Sequence, residues 1–311
     1  MLYFIVNQTA RTGKSSKVWK RVQTLLMAEA VPYEAYLTEY ENHATELTRM
    51  ISQKDDPDIC LVVVGGDGTM NEVINGITDF ERVRFGIIPA GSGNDFGRGL
   101  GIGRNTEENV NRIIRAYRLG SACFQPMDLG RVNWENGTKS RLFGISSGVG
   151  MDAIVCKKAL HSVMKNFLNK IHLGKLTYIL LTVQTLFSMD TGTVEVEFDK
   201  ETKHFDRLIF MAAMNLRAEG GGVPMAPNAT PFDGVLSLSS ASGIPKWRTF
   251  FCLPLLVAAK HERIKGFHVA DSRVTKVSIS KPFVLHADGE YCGDVTEAVF
   301  TCVADKLHMI L

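Results

Sequence analysis

The chain has 311 residues, of which 45% are hydrophobic and 22% are charged. This composition is typical of a globular protein large enough to build one or two hydrophobic cores. A net charge of +2 gives no reason to expect a nucleic acid as partner, since nucleic-acid binding depends on clustered positive charge. The six cysteines show no C-x-x-C spacing, which favours reduced thiols over a zinc site or a disulfide framework.

The first residues form an apolar run without a basic segment before it, which predicts a strand and not a signal peptide. The sequence contains no apolar run of about 18 residues, so we expect no membrane-spanning helix. These features predict a cytoplasmic protein whose contact with a membrane is limited to the surface.

The first 120 residues alternate between strand and helix patterns. Strands are predicted at residues 2–6, 33–37, 59–64 and 85–88, with amphipathic helices between them, and a further helix over 106–119. Strict β-α alternation predicts a parallel sheet covered by helices on both faces, in a Rossmann-like or phosphofructokinase-like α/β domain. In such sheets, ligands bind beyond the carboxyl ends of the strands.

Three polar loops leave those strand ends, at residues 7–14, 65–69 and 89–101. In the second loop, three glycines and Asp67 follow a buried strand, and Thr69 is expected to cap the next helix. Backbone N–H groups and the positive end of that helix would then face an anion, and glycine allows a phosphate to approach the backbone. Because the carboxylate of Asp67 repels a bare phosphate, we expect it beside a divalent cation that the phosphate binds.

A family resemblance rests on the second loop and the residues that follow it. Gly65-Gly66-Asp67-Gly68-Thr69, followed by Asn71, Glu72, Asn75 and Gly76, resembles the nucleotide motif of the diacylglycerol kinase catalytic family. That family includes soluble bacterial diacylglycerol and lipid kinases and is related to sphingosine kinases. The shorter G-G-D-G-T motif is shared with NAD kinases and phosphofructokinases, so by itself it indicates only ATP binding.

The third loop, PAGSGNDFGRGLG, is more specific. It is similar to the family segment P-x-G-T-G-N-D-[FL]-A-R, with Ser92 in place of threonine and Gly97 in place of alanine. NAD kinases do not resemble this segment, so it favours a lipid kinase. The first loop fits less well, because Asn7, Thr9 and Gly13 match the family pattern while other positions depart from it.

The resemblance implies ATP and Mg²⁺ as cofactors. Asp67 and Asp95 are predicted to engage the catalytic Mg²⁺, and Thr38 lies where the family places a threonine near the nucleotide. For Arg11, a contact with phosphate and a solvated side chain both stay open. The predicted nucleotide-binding residues are Asn7, Thr9, Arg11, Thr38, Gly65, Gly66, Asp67, Gly68, Thr69, Asn71, Glu72, Gly91, Ser92, Asn94 and Asp95.

Short β-like runs dominate the second half of the chain and predict an antiparallel domain over residues 124–299. The resemblance implies a lipid-binding β-sandwich there. It also implies a last strand at 300–311 that returns to the first domain, residues 1–123, and a nucleotide site in the cleft between the domains.

The D-G-E element near the end of the chain completes the predicted catalytic set. By resemblance, Asp288 is the general base for the lipid hydroxyl, Glu290 orients it or relays the proton, and Asp67 acts from the other domain. The resemblance also implies a structural Mg²⁺ held by Asp233 with the carbonyls of Thr230 and Val235. A simple turn at Asp233 is the alternative.

Two basic and apolar stretches are candidates for membrane contact. Residues 153–189 contain no acidic residue but five lysines, and residues 246–265 combine cations with aromatic side chains. Helices that cap the sandwich, with their lysines in solvent, are the alternative.

The sequence therefore predicts an ATP- and Mg²⁺-dependent lipid kinase, peripheral at the inner face of the membrane, that converts diacylglycerol to phosphatidic acid. A kinase of a sphingoid base or another hydroxyl lipid is the second interpretation. NAD kinase and a non-catalytic nucleotide sensor are alternatives from other classes, and a homodimer is left open.

Overall fold

The computed structural model describes residues 1–10, 13–120, 124–160, 182–198 and 201–311, without the side chains of Lys14 and residues 157–160. The chain divides into two compact units. Unit 1 comprises Met1–Leu129 together with Ala304–Leu311, and unit 2 comprises Gly130–Val303. The sequence placed these divisions near residues 123 and 300. The observed divisions fall inside two continuous strands, where no change of composition marks them.

Unit 1 contains a parallel sheet. Its strands are β1 (Leu2–Val6), β2 (Tyr33–Leu37), β3 (Ile59–Gly65) and β4 (Val83–Pro89). They lie in the order β2-β1-β3-β4, and the end of the last strand of the chain follows beside β4, also in parallel. Because β2 is added on one side of β1 and β3 on the other, the order in which successive strands are added reverses between β1 and β3. In open α/β sheets, ligands bind at such a reversal.

Helices cover both faces of this sheet. Val62 and Val64 of β3 belong to the core cluster beneath α1 and α5, whereas Leu61 and Val63, which alternate with them, are equally buried. On that second side, α2 and α3 contact each other and the central strands. The helices of unit 1 are α1 (Lys14–Ala28), α2 (His43–Ser52), α3 (Asp67–Gly76), α4 (Asp95–Gly99) and α5 (Thr106–Leu119).

Unit 2 is built from antiparallel strands in the order β12-β11-β10-β7-β13-β14. The long strand β13 pairs near one end with β8 and near the other with β7, and its register shifts between Ser278 and Phe283. This irregularity lets one strand serve both layers of a sandwich. The strands are β5 (Phe124–Trp134), β6 (Lys139–Phe143), β7 (Ser146–Gly150), β8 (Gly192–Glu197), β9 (Thr202–Leu208), β10 (Phe210–Met214), β11 (Leu236–Ala241), β12 (Phe267–Ser272), β13 (Val274–Ala287) and β14 (Glu290–Ile310).

A helical layer packs on one face of these strands. It contains α6 (Met151–Leu160), the helical residues 182–188 and α7 (Lys246–Val257), and a short 3-10 turn follows at His261–Arg263. Side chains from all three helices share one core cluster with β10. In the described parts of the chain, no helix is both long and apolar enough to cross a bilayer.

The predicted fold class, an α/β domain followed by an antiparallel β-sandwich, is confirmed. In the second half, the β-like runs of the sequence predicted one strand at residues 205–214, which is two strands, β9 and β10, and two strands at 274–279 and 283–286, which are the single strand β13. No run predicted β12, and the run at 141–146 reached only the first residue of β7. The five cysteines that the structure describes form no disulfide with one another.

Candidate functional site

The second and third loops of unit 1 meet at two glycines. A Cβ on Gly91 would lie 2.4 Å from the Cα of Gly66, and a Cβ on Gly66 would lie 3.1 Å from the Cα of Gly91. Side chains are therefore excluded at both positions, and the turn after β3 contacts the turn after β4 through bare backbone. This contact fixes the two loops beside each other at the carboxyl ends of their strands.

Two asparagines hold the loops in this arrangement. Asn94 is buried, and its backbone is in the left-handed region at φ 55°. Its side chain accepts the N–H of Gly91 at 2.9 Å and donates to the carbonyl of Gly91 at 3.0 Å. Asn7 donates from Nδ2 to Thr69 Oγ1 at 3.0 Å, and its Oδ1 accepts the N–H groups of Thr9 and Ala10 at 3.1 Å. The first and second loops are thereby joined.

Two carboxylates converge on Gly93 in the third loop. A Cβ on Gly93 would lie 2.8 Å from Asp67 Oδ2 and 3.4 Å from Asp95 Oδ2, so these oxygens are no farther apart than the sum of the two distances. Asp67 Oδ1 also accepts the N–H of Phe96 at 3.1 Å. Hard oxygen donors are the ligands that Mg²⁺ prefers. Glycine at position 93 keeps the space beside the two oxygens open, and Asp67 and Asp95 are the residues that could hold a Mg²⁺ ion there.

Arginines hold the third loop from the solvent side. Arg98 forms an ion pair with Asp95 and donates to the carbonyl of Gly93 at 2.8 Å. Arg104 donates to the carbonyl of Ser92 at 2.8 Å, and Ser92 itself is exposed. Arg98 is the last residue of the family segment matched in the third loop but received no role from the sequence, and Arg104 was not singled out. The i,i+3 spacing of Asp95 and Arg98 on a helix is the signal that could have identified the first one.

The structure corrects the expected role of Thr69. Helix α3 begins at Asp67 with Gly66 as N-cap residue and no side-chain cap, so Thr69 lies inside the helix and accepts from Asn7 instead. The turn is so tight that a Cβ on Gly65 would collide with the side chain of Thr69. Asp67 is consequently in the first helical turn, where its charge complements the helix dipole.

Three other predicted nucleotide residues have structural contacts. Glu72 Oε2 accepts the N–H of Ala44 at 3.2 Å in the first turn of α2, and the buried Asn71 accepts from Asn75. The backbone N–H of Thr38 donates to Val6 at 3.0 Å, at the end of β1. Arg11 lies outside the described residues. Nucleotide contact by these four residues stays a prediction.

In unit 2, Asp288 lies in the two-residue turn that joins β13 to β14. Asp288 and Gly289 both have positive φ, at 50° and 85°, which is typical of a type I′ hairpin turn and of an Asp-Gly pair. The carboxylate accepts three backbone N–H groups, from Gly144 and Ile145 at 2.8 Å and from Ser146 at 3.1 Å. Glu290 is half-buried directly after the turn. The predicted base is thus firmly oriented by the loop before β7.

A buried histidine lies beneath this turn. His286 Nδ1 accepts the N–H of Gly289 at 3.2 Å, so the proton of the neutral ring is on Nε2, which is 3.1 Å from Asp152 Oδ2. Burial lowers the pKa of His286, but the hydrogen bond to Asp152 and the charges of Asp152, Glu219 and Asp288 together raise it above its usual value. Ser146 connects the network by donating its hydroxyl to Glu219.

Ligand atoms of Asp152, Glu219 and His286 lie within 4.8 Å of one another. Imidazole is a poor ligand for Mg²⁺, so this set does not take the place of the predicted Mg²⁺ residues. Sequence reasoning missed Asp152 and Glu219. A faint signal was available for Asp152, an acidic residue in the first turn of α6 directly after a buried strand.

The predicted structural metal site has the geometry of a turn. Asp233 is exposed, and its Oδ1 accepts the N–H of Val235 at 3.2 Å around Gly234, whose φ is 76°. This is an Asx-type turn. Thr230 and Val235 are half-buried nearby in sequence, and metal binding by these residues stays a prediction.

Both halves of the chain match known domain families. Residues 1–130 match the diacylglycerol kinase catalytic domain, and residues 146–311 match the YegS C-terminal NAD kinase beta sandwich-like domain. YtlR of Bacillus subtilis (strain 168), named as a lipid kinase, is 29% identical over 94% of this chain and 93% of its own length. A diacylglycerol kinase of the same strain is 28% identical over 81% of this chain and 77% of its own length.

A solved structure agrees in fold. The crystal structure of a Bacillus anthracis str. Sterne protein described as a diacylglycerol kinase has a TM-score of 0.76 and covers 99% of this chain and 96% of that chain. At 21% identity, this similarity concerns the fold alone.

Proposed function

Because the chain belongs to the family defined by the diacylglycerol kinase catalytic domain and the YegS-type C-terminal domain, we propose that it transfers the γ-phosphoryl group of ATP to a lipid hydroxyl. Diacylglycerol, converted to phosphatidic acid, is the proposed substrate. The observation that carries the proposal is the backbone contact between Gly66 and Gly91, beside which Asp67 and Asp95 converge.

The loops of unit 1 are the proposed nucleotide site. The N–H groups at the start of α3 and its positive dipole end suit a phosphate chain. We assign Asp67 and Asp95 to Mg²⁺, since both oxygens face the same glycine. When bound, Mg²⁺ neutralises charge on the phosphoryl oxygens during transfer. Asn7 and Asn94 act indirectly by holding the loops.

Asp288 is the proposed general base. The lipid oxygen forms a bond to the γ-phosphorus while the bond to the β-phosphate oxygen breaks and releases ADP. The hydroxyl proton passes to the carboxylate of Asp288, and Glu290 orients the acceptor. The three backbone N–H groups on this carboxylate support the role by fixing its direction, which matters more in phosphoryl transfer than covalent chemistry does.

The choice of lipid rests on the relatives. Several of them are named diacylglycerol kinases at 24–29% identity, which favours diacylglycerol over a sphingoid base or another hydroxyl lipid. NAD kinase and a nucleotide sensor remain the alternatives from other classes. The retained pair of Asp67 and Asp95 disfavours a sensor, because nucleotide binding alone does not need two converging carboxylates.

A lipid substrate requires contact with a membrane, and we propose peripheral contact at its inner, cytoplasmic face. The sequence pointed to the lysines of residues 153–189 for this contact. The side chains of Lys157 and Lys158 and the whole of residues 161–181 lie outside the described residues, so that candidate stays a prediction.

Labelled ATP tests the proposed function directly. The protein is incubated with γ-labelled ATP, Mg²⁺ and one acceptor, which is diacylglycerol, a sphingoid base, a total lipid extract or NAD, and the labelled product is identified by mass. We expect phosphatidic acid. A labelled sphingoid phosphate would shift the substrate to the second interpretation. Labelled NAD phosphate, or no transfer to any acceptor, would contradict the proposal.

A further inference from the structure

Helix α7 carries several large apolar side chains that are exposed to solvent. Thr249, Cys252 and Leu256 face the core, whereas Trp247 is 63% and Phe251 is 69% exposed. Large apolar side chains that face solvent on a folded protein usually mark a surface that another molecule covers. The exposed apolar side chains of this helix are Trp247, Phe250, Phe251, Leu255 and Val257.

The apolar surface continues onto the neighbouring helical residues 182–188. Phe187 is 52% exposed, and its ring centroid lies 6.4 Å from that of Phe250. Lys246 ties the two helices together by donating to the carbonyls of Phe187 and Met189. We call Phe187 and the exposed apolar side chains of α7 the aromatic face.

The charges of the aromatic face indicate what covers it. Helix α7 contains Lys246 and Arg248 and no acidic residue, and Lys260 follows shortly after it. Tryptophan and phenylalanine beside cations are typical of segments that lie in the interface of an anionic bilayer. In a symmetric dimer the same face would meet itself and bring the cations of α7 together, and α7 itself carries no acidic residue to pair with them. A bilayer is therefore the better occupant.

The aromatic face belongs to the helical layer that also contacts the proposed catalytic turn of unit 2, through α6. Side chains of α6, residues 182–188 and α7 share one core cluster. In α6, Asp152 bonds to His286 beneath the turn, and Cys156 Sγ lies 4.0 Å from the Cβ position of Gly289. A bilayer seated on this layer would hold lipid hydroxyls near the unit that carries Asp288.

We propose that the aromatic face inserts into the interfacial region of an anionic membrane and brings the lipid substrate to unit 2. The inference rests on the proposed function for its substrate, but membrane insertion can be measured without turnover. Of the two stretches that the sequence offered for membrane contact, we select residues 246–265 and assign insertion to their aromatic side chains, with cations at the edge.

Intrinsic fluorescence tests insertion without a label, because the three tryptophans differ in burial. Trp19 and Trp134 are buried in the two units, and Trp247 is exposed. We expect vesicles of phosphatidylglycerol and phosphatidylcholine to shift the emission to shorter wavelength, and lipids brominated in their acyl chains to quench it. Trp247→Phe should still sediment with the vesicles but lose the shift. Emission unchanged by vesicles would overturn the proposal.

A double variant tests the contribution to binding. The double variant Trp247→Ala, Phe251→Ala should weaken binding to these vesicles by at least about tenfold, because binding then no longer transfers two large apolar side chains from water into the membrane. The matched control is Met27→Ala with Leu119→Ala, which removes two exposed apolar side chains of unit 1 and should leave binding unchanged. Equal effects of both pairs would contradict the proposal.

Activity separates this inference from the proposed function. On short-chain diacylglycerol dispersed in detergent, the Trp247/Phe251 variant should keep the wild-type rate, whereas on vesicles its rate should fall with its binding. Vesicle insertion without any lipid phosphorylation would remove the proposed function and leave the membrane surface in place. If the variant phosphorylates lipid on vesicles as fast as the wild type, the membrane insertion of the aromatic face is overturned and the proposed function stands. A shift of emission with protein concentration and no lipid, together with faster sedimentation, would identify a self-interface and also overturn it.

Discussion

Asp288 combines an unusual backbone conformation with an unusually well-satisfied side chain. Its φ of 50° is tolerated because the hairpin turn requires it. Its carboxylate then reaches back to Gly144, Ile145 and Ser146, and its own N–H donates to the carbonyl of Ser146 at 2.8 Å. A carboxylate offers about four acceptor sites. Three of these sites are therefore occupied by backbone N–H groups that orient the carboxylate. A substitution of the same size, such as asparagine, should disturb these bonds.

We expect Asp288→Asn to abolish turnover while nucleotide affinity stays close to that of the wild type. The amide cannot accept the hydroxyl proton, and the nucleotide residues are in unit 1. Because an amide NH₂ would also face backbone N–H groups, we expect a loss of about 1–3 kcal/mol in the free energy of unfolding. Nucleotide titration, initial rates and urea denaturation measure the three effects.

The matched control is Asp294→Asn, which removes an exposed carboxylate of β14 that accepts from Tyr291. It should change none of the three quantities appreciably. If Asp288→Asn keeps its turnover, Asp288 is an orienting residue of the turn and not the base. If it loses nucleotide binding instead, its role has been placed wrongly.

The His286–Asp152 pair predicts a pH dependence of stability. The pKa of His286 is raised above its usual 6.5 in the folded protein, against burial, by Asp152, Glu219 and Asp288. A group with a raised pKa contributes stability that is fully present below its unfolded pKa and is lost as the pH rises through its folded pKa. In Asp152→Asn, burial dominates, so the pKa of His286 should fall.

Urea denaturation of wild type and Asp152→Asn between about pH 5 and pH 9 measures this effect. The difference in the free energy of unfolding should be largest at the acid end and shrink as the pH rises. The control is Glu195→Gln, which removes the partner of the exposed His204 and should give a small difference at every pH. A difference for Asp152→Asn that is independent of pH would show that His286 stays neutral throughout.

Single residues were predictable from the sequence only where local chemistry decides their role. Asp67 and Asp95 were found because they lie inside glycine loops. Asp152 and Glu219 were missed because their significance depends on His286, which is more than 60 residues away in the chain from either of them. Thr69 was misplaced as a cap because its partner, Asn7, comes from a different loop.

At the scale of elements, the loops after β3 and β4 form one structure through Gly66 and Gly91. We expect Gly91→Ala to separate them, because its Cβ would be 2.4 Å from backbone and 2.9 Å from Asn94 Oδ1, and backbone cannot move aside cheaply. The expected cost is about 1–3 kcal/mol in the free energy of unfolding. Nucleotide affinity, measured by calorimetry, should fall by at least tenfold, since about 1.4 kcal/mol lost at the site corresponds to a factor of ten.

Gly103→Ala is the control for this variant. No heavy atom lies within 4 Å of a Cβ at that position, and its φ is not in the left-handed region. Stability and nucleotide affinity should therefore stay near the wild-type values. Unchanged affinity in Gly91→Ala would mean that the contact between the loops is structural and does not form the nucleotide site.

The elements of unit 1 were predictable because each strand there is a compact apolar run between polar loops. Strand β7 was missed because its sequence, SSGVG, has little β-propensity. It is a strand for reasons of packing, since a Cβ on Gly148 would lie 2.7 Å from the carbonyl oxygen of Met211 on β10. Small residues are required there so that two backbones can approach, and that need is visible only once the neighbouring strand is in place.

At the scale of the whole molecule, the last strand belongs to both units. Strand β14 pairs with β13 along much of its length, and its final residues pair in parallel with β4, at His308 with Arg84 and at Met309 with Phe85. The sequence predicted that the end of the chain returns to the first domain. It placed the start of this return near residue 300. In the structure the alternation of buried and exposed residues breaks between Cys302 and Leu307, where Asp305 has a φ of 51°, so the strand changes its buried face where it passes from unit 2 to unit 1.

This arrangement predicts that a substitution near the end of the chain weakens its beginning. Met309 is fully buried beside β4, so Met309→Ala should cost about 2–5 kcal/mol in the free energy of unfolding of unit 1. Hydrogen exchange should accelerate in peptides from β3 and β4, and nucleotide affinity should fall because the glycine loops follow these strands. Leu311→Ala, at the exposed end of the chain, is the control and should change exchange very little. Faster exchange confined to β10 and β11, with β4 unaffected, would contradict the assignment of the last strand to unit 1.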